Sequence, residues 1–239
     1  MTKGLTVLLL IFSVFSRAEQ MPDFPFLTVS ASAEKAVAPD LVHVSFSIVA
    51  VEKDPVKATD IVYGTGNELM AFFKDLGISK DDIEAHSITK NVIRKRNKDY
   101  QPVQIEAYEV EQAVKVTLRK LDNFQSLSDK LLTTKHIDDV DNRFDVSNRS
   151  AIEQQLVRDA GNQAKQKAKN LASGVGVKLG KVYAVSQERA FGSYAKFKFA
   201  NQSYEAIAVS GKRRQIDGLF IPKEIKLSQS INVIYQIKP

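Results

Sequence analysis

The sequence predicts an α+β fold, with antiparallel or mixed sheets and helices packed on one face. Three observations predict it. Several stretches alternate apolar and polar residues with period two, as half-buried strands do. Others repeat apolar residues at spacings of three and four, as amphipathic helices do. The strands also come in pairs, without the strict strand–helix alternation of a doubly wound sheet.

The elements follow in order. Met21-Pro22-Asp23-Phe24-Pro25 is an extended lead-in, because its prolines disfavour helix. Leu27 to Ala33 places Leu27, Val29, Ala31 and Ala33 on one side and Thr28, Ser30 and Ser32 on the other. Ala38-Pro39-Asp40 supplies a turn. Leu41 to Val51 then presents Val42, Val44, Phe46, Ile48 and Ala50 on one face and His43, Ser45 and Ser47 on the other. Asp54 is a good N-cap, and Pro55 at the first helical position loses nothing by lacking an N–H. Ala58, Ile61, Val62, Thr65, Leu69, Phe72, Phe73 and Leu76 line one face of that helix, and Gly77 is its left-handed C-cap.

Asp82 to Arg96 is expected as one strand running into a basic tip, Arg94-Lys95-Arg96-Asn97-Lys98, with Val103 to Leu118 as its partner. A second helix is expected from Asp122, with Gln125 closing a capping box and Phe124, Leu127, Leu131 and Leu132 buried. A strand follows around Ile137 to Val146. The longest helix is expected from Ser150, with Glu153 in the capping-box position. Its core face comprises Ile152, Leu156, Val157, Ala160, Ala164, Ala168, Leu171, Ala172 and Val175, and Gly174 and Gly176 end it. Val182 to Glu188 and Ile225 to Ile237 complete the strands. The order β-β-α-β-β-α-β-α-β-β contains two β-α-β-like halves, about 27–100 and 105–237. Residues 190–220 show no period and are expected as an irregular insertion.

Composition narrows the chemistry. The 239 residues include no Cys, which excludes a disulfide framework, a thiol nucleophile and Cys-ligated metal. The three His leave little for a multi-histidine cage. The N-terminus has a basic start at Lys3, an apolar run from Leu5 to Phe15, and small residues at Ser16 and Ala18. That is the pattern of a signal peptide over 1–18, which leaves 19–239 as one domain. Cleavage removes Lys3 and Arg17 and lowers the formal charge from +6 to +4.

Leu27-Thr28-Val29-Ser30, Pro39-Asp40, Leu76-Gly77-Ile78-Ser79-Lys80-Asp81-Asp82-Ile83, the helix with Ala160 and Ala164 to Ala168, and Gly176 to Val182 together resemble the SIMPL-domain (DUF541) family. The resemblance covers about 26–237, and the segment 190–220 departs from the family pattern. It implies an exported, periplasmic or outer-membrane-associated protein, a homo-oligomer, and a role in envelope or oxidative-stress protection. It implies no catalytic set and no cofactor, so no enzyme is expected.

The candidate residues carry modest signals. His136, Asp138, Asp139, Asp141 and Asn142 gather ligands suited to a hard cation, which makes a ligand- or metal-binding module over 138–145 the alternative function. A regular strand would split them, with Asp139 and Asp141 beside Ile137 and with Asp138 and Asn142 opposite. His43 shares a strand face with Ser45 and Ser47, but no nucleophile elbow accompanies it. Phe191, Tyr194, Phe197 and Phe199, followed by Lys212, Arg213 and Arg214, form a possible interaction surface; an edge hairpin burying alternate aromatics explains the aromatic part equally well. In an exported chain the basic patches predict contact with anionic surfaces rather than nucleic acid.

Overall fold

The computed structural model describes residues 22–98, 100–187 and 221–239. The expected signal peptide and the 190–220 segment therefore lie outside the described residues. The elements are β1 (Phe26–Val37), β2 (Leu41–Glu52), α1 (Pro55–Asp75), β3 (Ile83–Ala85), β4 (Thr89–Arg96), β5 (Pro102–Leu118), α2 (Phe124–Thr133), β6 (Ile137–Asp145), α3 (Arg149–Gly174), β7 (Lys178–Ser186) and β8 (Ile225–Lys238). Helices on antiparallel sheets make this an α+β fold, as the periodicity predicts.

The described chain divides into two compact units. One comprises residues 34–156 and 221–228. Its five-stranded sheet has the order β3-β5-β2-β6, with β4 also paired to β5. Val42, Val44, Phe46, Ile48 and Ala50 of β2 meet Val110, Val114, Val116 and Leu118 of β5 on the core face. Ala58, Val62, Leu69 and Phe73 of α1 and Phe124, Leu127 and Leu131 of α2 cover that face. Local chemistry fixes the ends of α1. Asp54 accepts a hydrogen bond from the Val56 N–H at 2.9 Å. At the other end Gly77, at φ 72°, lets its own N–H reach Lys74 O while the Ile78 N–H reaches Phe73 O. This Schellman arrangement satisfies carbonyls that would otherwise be orphaned.

The other unit comprises residues 22–33, 157–187 and 229–239. Its sheet has the order β1-β8-β7. Ala160, Ala164, Ala168 and Ala172 of α3 are buried, with Val29, Ile231, Val233 and Ile234 of the sheet. Small side chains let helix and sheet approach closely: a Cβ built on Gly161 would lie 3.8 Å from Ile231 Cδ1. Gly180 is tighter still, since a Cβ there would come within 2.8 Å of Gln236 O. The β7–β8 register shifts between Leu179 and Val182, around this point. Gly180→Ala is expected to force these strands apart and to cost about 1–2 kcal/mol. A urea titration with unchanged slope checks it, and an unmoved midpoint would show that the strands absorb the methyl.

Several local expectations change. The single strand expected over 82–96 is two, β3 and β4, separated by His86, Ser87 and Ile88. The second helix does not open with a capping box; Leu121–Asn123 forms a 3₁₀ turn, and α2 starts at Phe124 with no side-chain cap. Ser150 lies inside α3 rather than capping it, because the helix begins at Arg149 and Glu153 is taken up by that arginine. Leu132, Leu171 and Val175 are exposed, at the margins of their helical stripes. Strand pairing also crosses between the two sequence halves: β5 lies beside β2, and β1 beside β8.

Candidate functional site

The face of the five-stranded sheet opposite its core carries the polar residues of β2. Register places His43 between Thr117 of β5 and Arg143 of β6, and Ser45 between Lys115 and Asp141. The His43 Nδ1 and Thr117 Oγ1 atoms are 3.0 Å apart, and His43 Nε2 lies 3.8 Å from Asp145 Oδ2. Ser47 instead donates its hydroxyl to Glu111 Oε1 at 2.7 Å. The histidine and the serines that share its strand face are thus not joined as base and nucleophile.

Asp145 anchors the cluster. Arg149 Nε donates to its two oxygens at 2.7 and 2.9 Å, and the Val146 N–H donates at 2.7 Å. Arg149 Nη1 also donates to Glu153 Oε1 at 3.0 Å. Burial alone would push the Asp145 carboxyl up; hydrogen bonds from Arg149 and Val146, with the Arg149 charge, outweigh it and hold the carboxyl below its ordinary value. Beside it, Asp40 accepts from the Ser147 N–H at 2.7 Å and the Ser147 hydroxyl at 2.6 Å. These contacts tie the β1–β2 turn and the end of β6 to the start of α3.

His43 is the titratable centre of this face. Burial lowers its pKa below the ordinary 6.5; the Lys115 and Arg143 charges lower it further, opposed by Asp145 and Glu84. The unfolded chain therefore takes up this proton first as pH falls. Stability from neutral His43 is complete above about pH 6.5 and is lost as pH drops toward the lowered folded value. Urea midpoints between pH 7.5 and 5 should fall in the parent and fall less in His43→Gln; equal slopes would remove His43 as the cause.

The acidic stretch does not follow a regular strand. The β2–β6 register shifts between Ser45 and Ser47, which face Asp141 and Asp138. This bulge, with Asp139 at φ 53°, reverses the strand's phase. Asp138 and Asp141 therefore lie on the polar face and Ile137 opposite Ile48, which corrects the pairing of Asp139 and Asp141 with Ile137 expected for a regular strand. Among the described residues, no group of three or more His, Asp and Glu side chains is placed to hold a metal ion. Phe191, Tyr194, Phe197, Phe199, Lys212, Arg213 and Arg214 lie outside the described residues. Sequence reading missed Thr117 and Arg149. Arg149 carries a legible signal, the spacing of four that joins Asp145, Arg149 and Glu153 across a helix start.

An antiparallel five-stranded sheet with helices on one face and a charged network on the other defines an α+β domain. The SIMPL family profile, described as a protein of unknown function (DUF541), matches residues 27–235, and the chain belongs to this family. It is 30% identical over 173 residues to the uncharacterized protein YggE of Edwardsiella ictaluri (strain 93-146), covering 71% of this chain and 70% of that one. It is 27% identical over 184 residues to the uncharacterized protein YggE of Escherichia coli (strain K12), covering 76% and 73%.

Proposed function

We propose that this chain is an exported, periplasmic SIMPL-domain protein that works by self-assembly, without enzymatic chemistry, in envelope or oxidative-stress protection. One observation carries the self-assembly. Among the described residues β7 pairs with β8 alone, and Val182, Tyr183 and Val185 are exposed along it at 53%, 50% and 59%. A strand edge with apolar side chains is a template for another chain, and monomers usually blunt such edges with charge or proline. The signal-peptide pattern over 1–18 supports export. The hydrogen bonds that already occupy Ser47 and the His43 ring support the non-enzymatic reading. With no Cys, protection by thiol chemistry is not available, so the role is structural or indirect.

Size-exclusion chromatography with light scattering tests the assembly. The expected mass is a multiple of the chain's own, and a monomer at high concentration overturns the reading. A deletion strain is expected to lose viability under peroxide or envelope stress. Growth equal to the parent's under both would end the protective role.

A further inference from the structure

The two edges of the five-stranded sheet carry opposite charge. The outer edge on the β5 side is formed by β3 and β4, and the other edge is β6. Strand β4, 8 residues long, contains Lys90, Arg94, Lys95 and Arg96 and no acid. Strand β6, 9 residues long, contains Asp138, Asp139, Asp141 and Asp145 against Arg143. Asp145 is buried on Arg149, but Arg94, Lys95, Arg96, Asp138, Asp139 and Asp141 are exposed. None of these six side chains has an ion-pair partner among the described residues. The outer backbone groups of both strands are unpaired by any described strand.

Strand direction makes the two edges compatible. β4 runs antiparallel to β5, β5 to β2, and β2 to β6. β4 and β6 of one sheet therefore point in opposite directions. β4 lies level with Val49 and beyond, whereas β6 lies level with Leu41 to Ile48, so a second copy in the same orientation, shifted by about eight residues along the strands, presents its β4 antiparallel to the first copy's β6 without inverting either chain. Charge then selects this arrangement. Two β4 edges repel, two β6 edges repel, and only β4 against β6 brings opposite charges across the strands. The basic end also projects clear of its own sheet. β2 pairs with β5 only from Tyr108 onward, whereas Arg94 to Arg96 pair with Ile105 to Pro102. That end is a two-stranded ribbon extending past β2.

We propose that the basic β4 edge of one copy docks against the acidic β6 edge of the next, a head-to-tail interface between identical chains. This rests on the self-assembly reading and adds a second pair of surfaces, on the other sheet, to the apolar β7 edge that carries that reading. Such an interface is heterologous, so an assembly keeps one free edge of each sign, at its two ends, unless a ring closes.

Charge reversal tests it on the full chain, expressed with residues 1–18 so that its own processing acts. One variant combines Arg94→Glu with Arg96→Glu; the other combines Asp138→Lys with Asp141→Lys. Each alone then sets like charges at positions 94 and 96 against those at 138 and 141 and is expected to weaken association at least tenfold, with circular dichroism and melting midpoint unchanged. Mixing the two restores opposite charges at every junction and is expected to restore the parent's mass. The parent assembly is expected to weaken between 50 mM and 500 mM salt. If the parent assembles and both variants keep its mass, the interface lies elsewhere and self-assembly stands. If both variants dissociate but their mixture stays dissociated, edge complementarity is overturned. A monomeric parent would overturn this proposal and the self-assembly reading together.

Discussion

Phe73→Ala is expected to destabilise the chain by about 3–5 kcal/mol. Phe73 is 1% exposed and stands edge-on to Phe46 of β2, with ring centroids 6.4 Å apart. It joins the last turn of α1 to β2, so its loss opens a cavity where helix and sheet meet. The removed surface no longer leaves water on folding, and the neighbouring rings of Phe46 and Phe72 close the space only in part. Against a total stability typically of about 5–15 kcal/mol, that is a third or more of the whole for many domains. The shift of the urea midpoint measures it, provided the slope is unchanged. A loss below about 1 kcal/mol would mean that the cavity collapses freely, contrary to the packing described.

Arg149→Met is the second large effect, at about 2–3 kcal/mol at neutral pH. The Asp145 side chain is 7% exposed, and Arg149 supplies its strongest partner. Removing the guanidinium leaves a buried carboxylate held by the Val146 N–H, with His43 at 3.8 Å. The cost stays below that of a fully buried pair because the Arg149 side chain is 39% exposed, and water reaches the vacated side. The sign with pH follows from Asp145. Its folded pKa is lowered from 3.8, so the parent's gain is present above that value and is lost as pH falls through the lowered one. The difference between parent and variant should therefore be full at pH 7 and close at strongly acid pH. Adding Asp145→Asn to Arg149→Met removes the orphaned charge and should recover part of the loss. A double variant no more stable than the single one would show that Arg149 acts through packing and not through Asp145.

The reading from sequence succeeded where the interactions are local. Asp54, Pro55 and Gly77 mark the ends of α1 because caps are made by residues only a few positions apart. The alternation in β2 identified its core face because period two reports which side meets water. It failed at the β6 bulge, since inserting one residue into a ladder depends on the partner strand and leaves no periodic trace. It also assigned Glu153 to a capping box when the nearby Arg149 binds it instead. The polar cluster was half legible: His43 stood out on its strand, but Thr117 is 74 residues away and became its neighbour only through β2–β5 pairing.

By itself, then, the sequence determined the α+β class, the faces of β2 and α1, the absence of thiol chemistry, and the motifs that resemble the SIMPL family. The tertiary structure decided which strands are neighbours, and with that everything that depends on pairing. It brought His43 to Thr117 and Asp145, and it set the basic and acidic strands on opposite edges of one sheet. The physical reason is range. Caps and periodicity are set by residues within a few positions, whereas strand order is set by which distant surfaces exclude water together, and that is settled only when the whole chain packs.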